Sequence, residues 1–226
     1  MPDGTKTIEE SIQIENQLST WNYFPSTVYS IERPDFLKSV NEVSEKFLEI
    51  SKSKNDLDPI FPVIMTENLY NDERMMDFMA YVGMTAWNIL NSQGYAMNDL
   101  QTTFSEMWTQ EHHKHSLMEQ HIHGFGSQLV GFYFLEVPEK SSDVIFYDPR
   151  AGKVQNNLPE SQNLALTQAS NAVYIKPKPG LLMFANSWLP HAFSRHASDQ
   201  PLKFVHFNIT VKQNTNAFCP PPAEVV

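Results

Sequence analysis

The apolar positions of the first third of the chain recur at helical spacing. Phe36, Leu37, Val40, Val43, Phe47, Leu48 and Ile50 follow Pro34-Asp35, a helix start, and the pattern predicts a helix ending around Lys54-Asn55. Met75, Met79, Val82, Ala86 and Leu90 form a second stripe, with Asn71 or Asp72 able to cap it and Gly94 placed to end it. Its methionines read as core packing, because Met fills irregular gaps in ordinary cores. Ahead of the helices, 22–31 reads as an edge strand. Between them, Pro59 and Pro62 restrict 57–65 to a loop or a short edge strand. Residues 1–20 are polar and read as loosely held.

From about residue 100 the texture changes. Short apolar runs separated by turn signals predict strands over 102–110, 129–137, 144–147, 172–176, 181–185, 188–194 and 202–211, with a polar loop over 151–170. Such a set makes a sandwich or barrel, and two helices ahead of it would cover one outer face. The expected organisation is a single domain over 1–226: a helical cover over 1–99, a β core over 100–213 and a tail over 214–226.

Composition narrows the function. Hydrophobic residues are 41% and charged residues 19%, enough for a real core. The net charge of −10 argues against a nucleic-acid phosphate track, which needs clustered Lys and Arg. There is no apolar run of about 18 residues, so no membrane partner is expected. The N-terminal residues lack the basic and apolar regions of a signal peptide, and a cytoplasmic location is the default. The lone cysteine, Cys219, excludes an internal disulfide and a cysteine-rich zinc site, and no base stands near it in sequence to make it a nucleophile.

The histidines carry the chemistry. All eight lie between 112 and 206. His121 and His123 stand two apart just before a strong apolar strand, and in an extended chain that spacing puts both rings on one side. His191 follows a Pro-Gly turn, the run Leu-Leu-Met-Phe and Trp-Leu-Pro, an arrangement by which a double-stranded β-helix brings a distant segment to a shared metal. His112, His113 and His115, beside Lys114, read as a solvated strand end or loop. Asp148-Pro149-Arg150 reads as a turn braced by its own ion pair, and Trp108 and Trp188 read as barrel wall.

Four blocks together, His-Ile-His-Gly through Gly-Phe-Tyr-Phe-Leu-Glu-Val-Pro, Ile-Phe-Tyr-Asp-Pro-Arg, Pro-Gly-Leu-Leu-Met-Phe-Ala-Asn-Ser-Trp-Leu-Pro-His and Phe-Asn-Ile, span about 108–211. They resemble a family of 2-oxoglutarate- and Fe(II)-dependent oxygenases that is similar to the prolyl hydroxylases but carries His-x-His-Pro where those carry His-x-Asp. The resemblance implies a mainly β fold, a jelly roll (cupin-like double-stranded β-helix) with an N-terminal helical layer. It implies Fe(II) and 2-oxoglutarate as cofactors, molecular oxygen as a reactant, and a hydroxylated small molecule or protein side chain as substrate. His121 matches the first metal ligand and His191 the last. His123 stands where the related hydroxylases have a carboxylate, so three neutral rings leave the site one negative charge short, and Glu119 is a nearby carboxylate that could supply it if the strand bends.

The far carboxylate of 2-oxoglutarate needs a basic partner, which related enzymes place on the strand after the last histidine. Lys203 is the candidate there, with Arg195 or Arg150 serving if the face of Asn208 points inward and turns Lys203 away. Two other functions stay open at this point: a three-histidine dioxygenase that does not use 2-oxoglutarate, and a non-enzymatic jelly-roll binding module.

Overall fold

The two helical stripes and, apart from 188–194, the strands expected after residue 100 are present in a computed structural model, which describes residues 21, 23–124, 126–155, 158–160 and 166–214. The expectations for residues 1–20 and for Cys219 lie outside the described residues. A 3-10 turn with Pro34 at its first position leads into α1, Leu37–Lys54, and one capped by the Asp72 side chain, which accepts from the Arg74 N–H at 3.0 Å, leads into α2, Met76–Ser92. Gly94 ends the second helix at φ +93°, a conformation that glycine adopts without strain. Among the described residues no helix is long and apolar enough to cross a membrane.

The strands are β1 (Val28–Glu32), β2 (Val63–Met65), β3 (Leu100–His112), β4 (Met118–His121), β5 (Ser127–Glu136), β6 (Val144–Tyr147), β7 (Ala172–Ile175), β8 (Leu181–Asn186), β9 (His191–Phe193) and β10 (Leu202–Gln213). They form two antiparallel sheets, six strands in the order β1-β8-β5-β10-β3-β2 and four in the order β4-β9-β6-β7. This is the expected jelly roll. Two strand expectations change. Residues 188–194 divide into a turn, closed by the Leu189 N–H donating to the Asn186 carbonyl at 2.9 Å, and the three-residue β9. The strand β4 was not expected: Met-Glu-Gln-His has no alternation of its own and is extended because β9 pairs with it.

Alternation on the large sheet separates two cores. Val130, Phe132 and Phe134 of β5, Met183 of β8 and Phe204 of β10 face the small sheet and pack with Phe146 and Phe193. Leu129 and Tyr133, Phe184, and Val205, Phe207 and Ile209 face the other way, against Val40 and Val43 of α1 and Phe78 and Val82 of α2. Each buried side chain of this size contributes about 1.5–3 kcal/mol. The stripe expected for α2 is the one that packs, with Met75, Val82, Ala86 and Leu90 buried and Met79 partly so.

On the helix-facing side of β5 there is no room for a side chain at Gly131. A Cβ there would run into the Phe207 ring and lie 2.8 Å from the Met183 carbonyl oxygen. Gly131→Ala should therefore displace Phe207 and cost about 1–3 kcal/mol by overpacking. Chemical denaturation of both proteins measures this directly, and an unchanged midpoint would mean that Phe207 moves freely.

Candidate functional site

Antiparallel register builds the site. His121, the last residue of β4, pairs with His191, the first of β9, and His191 also pairs with Phe146 of β6. Cross-strand partners project to the same face, so the two rings meet, with centroids 4.5 Å apart. His123, two residues past His121, is tied to the turn before β9 by its N–H, which donates to the Ser187 carbonyl at 2.9 Å. Its ring lies 5.1 Å from that of His121 and 5.2 Å from that of His191. One nitrogen from each of the three rings falls within 4.8 Å of the other two.

Two of the rings are oriented by the backbone. His121 Nδ1 lies 2.7 Å from the Glu119 carbonyl oxygen and His191 Nδ1 lies 2.9 Å from that of Leu189. A carbonyl oxygen only accepts, so each Nδ1 carries a proton, and in the neutral ring that leaves Nε2 with its lone pair. Burial, with the His121 charge adding to it, holds the His123 ring down to about 4. Burial also takes His191 down to about 3, against the opposing effect of the hydrogen bond it donates to the Leu189 carbonyl. Both are neutral at neutral pH, the form that binds a metal. The Nε2 atoms of His123 and His191 are buried with no protein partner, a cost of about 1–3 kcal/mol each unless something meets them. Neutral imidazoles arranged this way suit iron, zinc, copper or nickel.

Behind the three rings stands a fourth, His206 of β10. Its centroid is 5.0 Å from His123, 5.3 Å from Phe132 and 4.4 Å from Trp108. Burial, with the three other histidines next in effect, pushes its pKa well below the ordinary value. Its Nε2 and the Trp108 Nε1 are also buried without a partner. The sequence shows His206 only as a member of the Leu202, Phe204, Asn208 face; its signal was that shared face with Asn208.

The structure does not bring Lys203 or Arg195 to the histidines. Lys203 projects from the opposite face of β10, where its ammonium meets Glu45 at 2.6 Å, Glu136 at 3.2 Å and Glu111 at 3.8 Å. Glu111 is itself bonded to Lys52 and His113. The alternation that puts His206 inside puts Lys203 under α1. Arg195 lies past the end of β9, exposed, with its guanidinium on the His115 carbonyl at 3.3 Å. Arg150 bonds Asp148 at 2.6 Å in the braced turn, and its guanidinium, with the backbone amide, holds the Asp148 carboxyl far below its usual range. Glu119 offers its backbone carbonyl to His121 and an exposed side chain. The reading of His112 as solvated fails: it is fully buried, one ring nitrogen on Gln110 at 2.9 Å and the other on Ser116 at 3.3 Å.

Next to the histidines a cleft of about 790 Å³ opens outward. It starts at Phe146 and Leu189, which flank His191, and ends at the exposed aromatic rings of Trp21, Tyr23 and Phe24.

Residues 106–208 match the family model described as Putative 2OG-Fe(II) oxygenase. Among curated proteins none matches the sequence. Among solved structures the fold is similar to a Pseudomonas putida prolyl-4-hydroxylase (8% identity, 82% of this chain and 93% of that one, TM-score 0.56). It is also similar to the viral collagen prolyl hydroxylase of Paramecium Bursaria Chlorella virus-1, solved as a 2OG complex (11% identity, 81% and 94%, TM-score 0.53). A third likeness is to the non-heme alpha ketoglutarate dependent carbocyclase SnoK from nogalamycin biosynthesis (10% identity, 82% and 79%, TM-score 0.59). At these identities the likeness is one of fold, and with the family match over the barrel it points to the 2OG-Fe(II) oxygenases.

Two predictions follow from this geometry. Lys203→Ala removes the cation from a cluster that includes the buried Glu111. Losing one partner of a fully buried pair costs about 3–5 kcal/mol, but Lys52 remains and Glu45 and Glu136 are partly solvated, so about 2 kcal/mol is expected in a denaturation experiment. An unaltered stability would show the network to be idle. The second concerns pH. In the metal-free chain His112, His123 and His191 take up protons only near 3, 4 and 3, whereas unfolded histidines do so near 6.5. Between these limits the unfolded state binds more protons, so stability rises with pH. The denaturation midpoint should be level above about pH 7 and fall from about pH 6.5 toward 4.5; a level midpoint across that window would contradict neutral buried rings.

Proposed function

We propose that this chain is a 2OG-Fe(II) oxygenase, a working dioxygenase in which His121, His123 and His191 hold Fe(II). The observation that carries the reading is the convergence of three imidazole rings, two of them held at Nδ1 by backbone carbonyls, inside a barrel that matches the family model. The donor set fits the ion in number, softness and protonation state. When bound, Fe(II) supplies the redox chemistry by which oxygen and 2-oxoglutarate yield succinate, carbon dioxide and one oxygen atom for the substrate.

The chain's own residues orient and shield. The carbonyls of Glu119 and Leu189 fix the His121 and His191 tautomers, and Ser187 holds the backbone of His123. Phe132 and Phe146, whose centroids are 5.5 and 6.0 Å from His191, exclude water from the inner side of the cluster. The cleft beside His191 gives a substrate its approach. Its walls mix aromatic and apolar side chains with polar ones, among them Thr167, Ser170, Asn171 and the Asp148–Arg150 pair, so a small molecule or a protein side chain carrying both apolar and polar groups suits it. A reducing, cytoplasmic setting keeps the iron ferrous and suits a chain with a single cysteine.

Titrating the anaerobic, Fe(II)-loaded protein with 2-oxoglutarate tests this. A weak metal-to-ligand charge-transfer band is expected, and admission of oxygen should then release succinate. His191→Ala should lose the bound metal, the band and succinate formation together. A wild-type protein that holds iron but gives neither band nor succinate would instead favour a three-histidine dioxygenase independent of 2-oxoglutarate, and one that binds no metal would favour a binding module.

A further inference from the structure

The described interior of the barrel has a charge balance of its own. The inward face of β10 presents Leu202, Phe204, His206 and Asn208, and opposite them β3 presents Trp108, Gln110 and His112, with the exposed Glu106 at the end of the row accepting from the Asn208 amide at 2.7 Å. None of these is a cation. Lys203, the basic residue of β10 closest to this region, is spent on three carboxylates of the helix-facing side. A doubly charged acid bound at this site would have to rely on neutral donors.

The ligand set makes that sufficient. A divalent ion on three neutral histidines carries two positive charges, and 2-oxoglutarate carries two negative ones, so the bound pair sums to zero. One carboxylate among the ligands would leave the pair at −1, and burying that excess would call for a lysine or arginine. With His123 in that position there is no excess to offset. What a cosubstrate carboxylate still needs inside the barrel is hydrogen bonds, since leaving it unsatisfied is costly. His206 Nε2 and Trp108 Nε1 are two buried nitrogens without partners on rings 4.4 Å apart, one of them 5.0 Å from His123. His206 does not belong to the group of nitrogens that converge within 4.8 Å. It stacks on the His123 ring at 5.0 Å, beside the three converging nitrogens and not among them.

We propose that His206, with the indole N–H of Trp108, binds a carboxylate of the acidic cosubstrate as a neutral hydrogen-bond donor, and that His123 as a neutral ligand is what makes a cation there unnecessary. The inference rests on the Fe(II) and 2-oxoglutarate reading above and names the residues that would complete it.

Binding, measured separately from turnover, tests it in the full chain. Mn(II) affinity is measured first, and 2-oxoglutarate affinity of the Mn(II)-loaded protein second, both by calorimetry. His206→Phe keeps the ring volume and removes the donor; it should bind Mn(II) within about threefold of wild type and 2-oxoglutarate about 10- to 100-fold more weakly. His206→Gln retains an N–H donor and should recover most of that loss. Trp108→Phe, a milder change should the other variants fold poorly, should weaken 2-oxoglutarate by about 3- to 10-fold. His123→Asp restores the excess negative charge and should weaken 2-oxoglutarate by about tenfold or more while metal is retained. Wild-type affinity for 2-oxoglutarate in both His206→Phe and Trp108→Phe overturns the inference and leaves the proposed function standing. Loss of Mn(II) in His206→Phe also overturns it, by making His206 part of the metal site. Tighter 2-oxoglutarate binding in His123→Asp overturns the charge argument. A wild-type protein that takes Mn(II) but no 2-oxoglutarate overturns the proposed function and the inference with it.

Discussion

The period of two along β10 is the constraint on which the rest of the structure depends. This strand sits inside the large sheet, hydrogen-bonded to β3 on one side and β5 on the other. Its odd positions, Lys203, Val205, Phe207 and Ile209, face the helices; its even positions, Leu202, Phe204, His206 and Asn208, face the small sheet. A slip of one residue would exchange the two sets. Lys203 would then enter the barrel without its carboxylates, and His206 would lie under α1. Packing on both faces makes such a slip prohibitive: Phe204 stacks on Phe193 at 4.7 Å, while Phe207 occupies the space that Gly131 leaves open.

The same logic places the three converging histidine rings. His121 and His191 are 70 positions apart in the chain, and no local preference could bring them together. The pairing of β4 with β9 does so, and the pairing of β9 with β6 adds Phe146 as a wall. The small sheet is therefore more than cover for the core. Two of its four strands end or begin in a histidine of the site, and its short strands stay registered because their inward residues interlock with the aromatic rings of the large sheet.

Much of this was legible in the sequence, and what was not has physical causes. The helices were readable because their buried apolar residues recur at helical spacing. The His121–His123 pair was readable because a spacing of two has one meaning in extended chain. The direction of β10 was a harder matter. A strand covered by helices on one side and a sheet on the other is apolar on both faces, so alternation no longer says which face is which. The two sets of residues could be separated, yet Lys203 and His206 could not be assigned to outside and inside until the partner surfaces were known. His112 was misread for a related reason. Polar neighbours suggest solvent, but here Gln110 and Ser116 are the groups that satisfy its ring nitrogens and allow it to be buried. The four residues of β4 left no signal, since their extended conformation comes from a partner some seventy residues away.

The two faces of β10 also divide the charge. On the helix side Lys203, Lys52 and His113 are gathered around Glu45, Glu111 and Glu136, an ionic knot that ties α1 to three strands. On the site side the buried groups described are rings and amides, and the one carboxylate of that face of β3, Glu106, is exposed and accepts from the Asn208 amide at 2.7 Å. In a chain with 26 acidic and 16 basic residues, a cation used to secure the scaffold is not free to serve the interior. On the proposed reading, His123 in place of a carboxylate ligand removes one negative charge from the site, and that is the same amount by which the lysine is missing. The two departures from the related hydroxylases' pattern thus compensate one another. Each alone would leave a buried charge without a partner, whereas together they leave a site whose interactions with an acidic molecule can rest on the metal and on hydrogen bonds.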